Sequence, residues 1–577
     1  LRISAINRRI VRFIKKPNSW AFFIDIFNPS EADFMMQKLL IFLSIFFYGL
    51  SILLPYHGVP WVTFESELFS LISLFSLLAL CLYQNNKIPK LNLFILCVAC
   101  IPFLQFLCGK IIYLSNVILT SAYILILFFS ILVGFNLSQN EDYKKSVFKI
   151  ITYSLFAFGL VSAIFIILQW LGFSHFLSLY IMDIVGNRPY ANMGQPNNIA
   201  VFMIISLFSA LYLKENKNIP FVIVIPSIIL ILIAIALTQS RTAWVVFIFT
   251  LIYVTCKKNV KEIEVIRKNI YLVSLAFFVF IFSIPLIRIF LKEVLHLDIF
   301  QIASASERAS DGYLRLDLWQ QAYYAILEQP WFGFGWNQTS LAQITIFDLH
   351  PNHEWIGSFH NIVFDVLVWN GLPLGIVIIL YAIYILYRLE KNCLSLESTL
   401  AMLMIFAVII HSLFEFPLHY LYFIVPFGFL IGFIQAQDES LDIVNFNLYI
   451  VKCFLLIGFL LSTLVVRDYY LLKTKVNILS NFSEKGVYDQ NVLNKRIYIL
   501  TQFSEWLWWV TLDENTKLDN DKLNVVRKLV YNSASEINLA KYIRILINSH
   551  KLNEAERVLN ILNILHNKKL KIDDFKE

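Results

Sequence analysis

The stretch HPNHEWIGSFHNIVFD, residues 350–365, gathers three of the chain's ten histidines, His350, His353 and His360, within eleven residues. An imidazole titrates near neutral pH, so it can take a proton from a hydroxyl or ligate a metal. Asn361 and Asp365 follow His360 as the sequence turns apolar, and a carboxylate there could orient the ring. His350 and His353, with Glu354 beside the second, admit a zinc reading. Pro351 and Asn352 between them favour a turn over the helix that would aim both rings at one point.

Further polar residues stand at corresponding edges of other apolar runs: Arg188, Gln195, Asn197 and Asn198; Gln239 and Arg241; and His411, Glu415 and His419. Each has a bland reading taken alone, as a headgroup contact or a tie between helices. His411 and Glu415 are four apart and share a helical face. Two arginines at one level could hold a diphosphate, because guanidinium forks match phosphate oxygens and keep their charge. Amide side chains suit sugar hydroxyls. The chemistry this set could do is proton abstraction from a hydroxyl beside a bound diphosphate.

The elements that must position these groups are membrane helices. Of 577 residues, 58% are hydrophobic and 15% charged, where soluble proteins average roughly half and a quarter. Apolar runs of about 20 residues recur, each long enough to cross a bilayer. They fall near 36–55, 62–83, 91–109, 114–135, 147–171, 196–213, 219–238, 242–256, 270–290, 361–387, 399–416, 419–436 and 449–466. The fold expected is an all-α polytopic membrane protein of about 13 transmembrane helices.

Lys and Arg concentrate in alternate loops, most densely in KKNVKEIEVIRK (257–268), which sets the N-terminus in the cytoplasm and the polar groups above on the periplasmic side. That bias also accounts for the net charge of +7 without nucleic acid. The basic N-terminal stretch lacks a cleavage site of signal-peptide type. The seven cysteines lie in or beside apolar runs and suggest neither disulfides nor a metal site. Three parts are expected: a cytoplasmic basic segment (1–35), a transmembrane part (36–466) with a large periplasmic loop (291–360), and a small periplasmic helical domain (467–577). In that last part Ser533 and Glu536 form a capping-box pattern, and Leu539, Ile543 and Leu546 recur at helical spacing. A second helix is expected from near Asn553, burying Val558, Leu559 and Leu562, to make one helical hairpin.

RPYANMGQPNNIA (188–200), TQSRTAW (238–244), DGYLRLDLWQQAYYAILEQPWFGFGWN (311–337), FHNIVFDVLVWNGLPLG (359–375) and HSLFEFPLHY (411–420) occur in an order seen in one family. The chain resembles the O-antigen ligase-like superfamily, and within it the bacterial protein O-oligosaccharyltransferases of PglL type. The resemblance implies a multi-pass inner-membrane enzyme that moves a preassembled glycan from undecaprenyl diphosphate to an acceptor in the periplasm. It implies that His360 is the proton acceptor, with Glu415 and Asp365 as catalytic partners. Arg188, Gln195, Asn197, Arg241 and Arg315 are then the donor-binding residues. Phe416 stands where the family motif has tyrosine; Tyr420 or Tyr422 could supply a hydroxyl nearby. No cofactor or metal is expected, and inversion by one in-line displacement is. The partners implied are the lipid-linked glycan, membrane lipid and an acceptor protein such as a type IV pilin. O-antigen ligase and O-antigen polymerase are the rivals inside the superfamily. A transporter or lipid flippase is the rival outside it, and it lacks the repeated halves and mid-span charges expected of one.

Overall fold

The computed structural model describes residues 31–257, 263–294, 296, 312–485, 492 and 494–575. The expected basic segment 1–35 and parts of the 257–268 and 291–360 loops therefore lie largely outside the described residues. The rest is mainly helical. The bundle helices are α1 (Glu31–Leu53), α2 (Phe64–Leu80), α3 (Leu93–Leu107), α4 (Leu114–Leu137), α5 (Glu141–Trp170), α6 (Pro196–Glu215), α7 (Phe221–Leu237), α8 (Arg241–Cys256) and α9 (Ile263–Val294). Two shorter ones, α10 (Gly312–Glu328) and α11 (Thr339–Thr345), precede α12 (Ile362–Lys391), α13 (Leu396–Ser412), α14 (Leu421–Gln435) and α15 (Leu448–Lys485). Four more close the chain: α16 (Thr501–Thr511), α17 (Asn520–Asn532), α18 (Glu536–Asn548) and α19 (Leu552–Leu565).

Every one of the thirteen apolar runs coincides with a helix. Among the described residues, nine are long and apolar enough to cross a membrane, and α7, α8, α13 and α14 are shorter apolar helices. The chain is an all-α polytopic membrane protein, with one antiparallel pair of three-residue strands, Lys87–Pro89 and Ile443–Asn445, among the described residues. That pair ties the α2–α3 and α14–α15 linkers together at one end of the bundle.

Close helix contact fixes the middle of the bundle. A side chain at Gly134 would strike the Phe429 backbone, and one at Gly432 would strike Ile131, so α4 and α14 approach to backbone contact. Small residues serve this purpose in membranes, where dispersion and not water expulsion drives packing. α6 lies at the centre, buried from Asn197 to Leu213, and packs on α5, α7, α8 and α13.

Two expectations are corrected. The segment 361–387 is not one uninterrupted helix, because Gly371 breaks it with φ 73° and ψ 173°. The break leaves carbonyls unpaired, and Phe334 and Gly335 donate to those of Val368 and Trp369 at 2.9 and 3.0 Å, while Leu372 donates to Pro330 at 2.7 Å. Irregular backbone in a membrane helix survives only with such partners. In the C-terminal part the capping residue of α18 is Ser535, which accepts from Asn538 N, and Ser533 instead ends α17. The α18–α19 hairpin does bury Val558, Leu559 and Leu562, and its core continues into α17 and into Ile344 and Phe347 of the α11 region.

Candidate active site

Glu415 lies just past the C-terminal end of α13, where its backbone N–H still reaches the His411 carbonyl at 2.8 Å. Pro417 then starts a short turn that prevents the helix from continuing. A helix C-terminus repels a carboxylate, so a buried one there must be matched by donors. Four side chains from other segments supply them. His360 Nδ1 lies 3.0 Å from Oε2, and Gln195 Nε2 donates to the same oxygen at 3.1 Å. Arg315 Nη2 and Asn197 Nδ2 donate to Oε1 at 2.7 and 2.8 Å. Arg188 Nη1 reaches Asn197 Oδ1 at 3.4 Å, which makes a second tier.

The sequence dictates each approach. Pro196 takes the first position of α6, where its missing N–H costs nothing, and so presents Gln195 as the cap and Asn197 in the first turn. Asn361 caps α12 by accepting from Val363 N and Phe364 N, and its amide donates to the Leu413 carbonyl at 3.2 Å. His360 precedes that cap with φ +53°, a backbone state that costs a non-glycine residue about 1 kcal/mol or more. Asp365 secures it. Its carboxylate accepts from Ser358 Oγ at 2.5 Å, Phe359 N at 2.9 Å and Thr339 Oγ1 at 3.4 Å, and His360 N donates to Ser358 Oγ at 3.0 Å.

An O-antigen ligase family model matches residues 226–380, and a model described as the C-terminal part of a virulence-factor membrane-bound polymerase matches 399–570. A general O-oligosaccharyltransferase of Acinetobacter baylyi (strain ATCC 33305 / BD413 / ADP1) is 35% identical over 556 residues, 96% of this chain and 97% of its own. This chain belongs to the O-oligosaccharyltransferase family. A ComP-specific O-oligosaccharyltransferase of the same organism is 28% identical over 548 residues, 91% of this chain and 95% of its own. The protein is thus a glycosyltransferase. The matches run beyond the motifs between 188 and 420 and take in the C-terminal helices.

In this oligosaccharyltransferase, six of the eight residues to which the resemblance gave catalytic or donor-binding roles, His360, Glu415, Gln195, Asn197, Arg315 and Arg188, form one hydrogen-bonded cluster. Asp365 lies beside it as the anchor of the His360 loop. Arg241 opens α8 after its cap Ser240 and stands outside the hydrogen bonds to Glu415. Phe416 packs against the His360 ring at 5.1 Å in edge contact. The nearby phenol of Tyr422 accepts from Asn198 at 3.2 Å, and Asn198 Oδ1 pairs with His411 Nε2 at 2.8 Å. The other two histidines of the 350–365 stretch are used elsewhere. His350 stacks on Tyr324 at 6.0 Å, and His353 Nδ1 meets the Ile564 carbonyl at 2.8 Å.

Burial alone would raise the Glu415 pKa, but the hydrogen bond and charge of His360, with Arg315 and His411 behind them, outweigh it and hold the carboxyl down to about 2. The carboxylate is therefore an acceptor at neutral pH, and the His360 nitrogen facing it must carry hydrogen. In the neutral ring this leaves Nε2 with the lone pair. Sequence reading missed Ser358 and Thr339, whose hydroxyls mark no pattern. It also missed Glu67, buried in α2, which accepts from Leu421 N at 2.8 Å and so holds the far end of the Glu415 turn. An acid inside an apolar run was the available signal.

Proposed function

We propose that the protein transfers a preassembled oligosaccharide from undecaprenyl diphosphate to a serine or threonine hydroxyl of a periplasmic, pilin-type protein. Nε2 of His360 takes the hydroxyl proton as the oxygen attacks the anomeric carbon. The bond from that carbon to the diphosphate breaks on the opposite side, with inversion. Glu415 holds the ring and stabilises the imidazolium that forms. Arg188 and Arg241 match the charge of the departing diphosphate, and Gln195 and Asn197 contact the donor from the N-terminus of α6. In this reading thirteen helices cross the inner membrane. The N-terminus is then cytoplasmic, and the site, the 291–360 loop and the C-terminal helices are periplasmic.

The observation that carries the reading is the His360–Glu415 pair, flanked by two arginines at one end of an apolar bundle. Relatives named for a general and for a ComP-specific transfer support a protein acceptor. The test is a heterologous cell supplied with lipid-linked glycan, a candidate pilin and either wild-type protein or His360→Ala. Glycopeptide is expected from the wild type alone. Equal yield from both would remove His360 from the chemistry, and modified lipopolysaccharide without glycoprotein would replace the protein acceptor by a lipid.

A further inference from the structure

The linker between α5 and α6 is built inside out for a water-facing loop. Phe176, Leu179 and Val185 are 81, 82 and 83% exposed, and Phe173 and Tyr180 also face outward. A single three-residue turn, His175–Leu177, is its only helical part. The backbone of its second half, by contrast, is paired inward. The Gln169 amide uses its full capacity, donating to the Met182 and Ala191 carbonyls and accepting from Tyr190 N and Ala191 N, all between 2.7 and 3.0 Å. Asn192 donates to the Tyr180 and Leu53 carbonyls and accepts from Met182 N. Tyr190 donates to the Asp183 carbonyl at 2.7 Å and accepts from Val185 N at 2.9 Å.

We propose that residues 173–185 form a rigid platform inserted into the hydrocarbon edge of the bilayer leaflet on the Glu415 side, so that the partner covering them is lipid. Three observations select lipid over protein. The segment begins three residues after the membrane helix α5 ends at Trp170, at the level where that helix leaves the bilayer, and continues its exposed apolar surface at Ile164 and Phe173. Irregular backbone can stay in hydrocarbon only when its polar groups are satisfied by protein, and here Gln169, Tyr190 and Asn192 pair those of Tyr180, Met182, Asp183 and Val185, while a local turn pairs Leu177, Tyr180 and Ile181. The most outward of the apolar side chains are Phe176, Leu179, Tyr180 and Val185, and the polar ones among them, His175 and Asp183, pair with each other at 3.8 Å, a mixture suited to the boundary between hydrocarbon and headgroups.

The platform has a consequence for the transferase reading, on which this second step rests. Arg188 follows Val185 by three residues and reaches Glu415 through Asn197. The insertion depth of the platform therefore sets the depth of Arg188, at the level of a lipid phosphate.

The experiment uses the full-length protein with the exposed cysteines Cys97, Cys100, Cys108, Cys256 and Cys453 changed to serine. Single nitroxides are placed by F176C, L179C, V185C and D183C, and the proteins are reconstituted in phosphatidylethanolamine–phosphatidylglycerol vesicles. Labels at 176, 179 and 185 are expected to collide several-fold more with oxygen than with a water-soluble nickel chelate, and the label at the exposed, His175-paired Asp183 to show the reverse. Chelate access at 176, 179 and 185 equal to that at 183 would overturn the proposal. So would protection that appears only when an acceptor protein is added. Neither readout needs catalysis, so loss of the transferase reading leaves this result standing. In a second arm, F176D/L179D is expected to raise KM several-fold for a donor with a long isoprenoid tail embedded in vesicles. An unchanged KM would sever the platform from Arg188.

Discussion

Glu415 and Asp365 are both buried carboxylates beside His360, and they are held in opposite ways. Glu415 gathers Gln195, Asn197, Arg315 and His360 across sequence separations of 220, 218, 100 and 55 residues. Asp365 gathers Ser358, Phe359 and Thr339 across 7, 6 and 26. The first sits past a helix C-terminus, where the dipole opposes its charge and cations must answer it. The second sits in the first turn of α12, where the dipole favours it and neutral donors suffice. One carboxylate therefore sets the electrostatics of the imidazole, and the other builds the backbone that presents it.

The largest break in this comparison comes from Glu415→Gln. Glutamine keeps one acceptor oxygen for four donors and puts an NH2 in place of the other, so the charge and the fixed tautomer of His360 are lost, and glycan transfer should fall about a hundredfold or more, measured by timed glycopeptide mass spectrometry. Adding His360→Ala to it should cost little more, because groups acting as one unit are not additive. Full activity in Glu415→Gln would dissolve the pair. Asp365→Asn should instead act on the fold. Losing charge-assisted bonds at a buried position costs about 2 kcal/mol, read as a lower Tm in nanodiscs, with activity falling because His360 tips out of its left-handed backbone state. Lost activity at an unchanged Tm would move Asp365 into the chemistry.

The pH dependence separates the two regions further. Glu415 has a folded pKa of about 2, depressed below the ordinary value near 4.3. Its contribution to stability is therefore fully present above the unfolded value and is lost as pH falls through that range toward 2. His360→Ala removes the strongest opposition to burial, so the carboxyl climbs. The Tm of that variant should begin to fall at a higher pH than wild type in a titration from pH 7 to 3. Coincident acid limbs would show that His360 does not hold the charge.

The same contrast explains what could be read from sequence. Of the Glu415 partners, His360, Gln195 and Asn197 stand at the edges of apolar runs, where polar groups are costly and therefore conspicuous, so they stood out despite their separations, whereas Arg315 was reached only through the family resemblance. Arg241 stood out as the first three did, at the first position of α8 after its cap Ser240. The Asp365 partners are a serine, a threonine and a backbone amide, which no period or charge pattern marks. The break at Gly371 was hidden similarly. Apolar runs look continuous to a hydropathy reading, and the repair by Phe334 and Gly335 needs a loop 35 or so residues away to fold over it.

The smallest effect is expected at the far edge of the support. Arg557 Nε lies 2.6 Å from Asp348 and so links α19 to the residues after α11, but the two side chains are 34 and 50% exposed. Exposed pairs contribute about 0.2–1 kcal/mol. Behind this pair, Ile344 and Phe347 are fully buried in the C-terminal core, and burial at that scale outweighs the ion pair. Arg557→Ala should therefore lower Tm marginally and change transfer by less than about threefold, since 0.6 kcal/mol is about a factor of three. Loss of transfer at an unchanged Tm would mean that the C-terminal helices reach the His360 loop through this arginine, and that the local scaffold of Asp365 extends much further than its three hydrogen bonds.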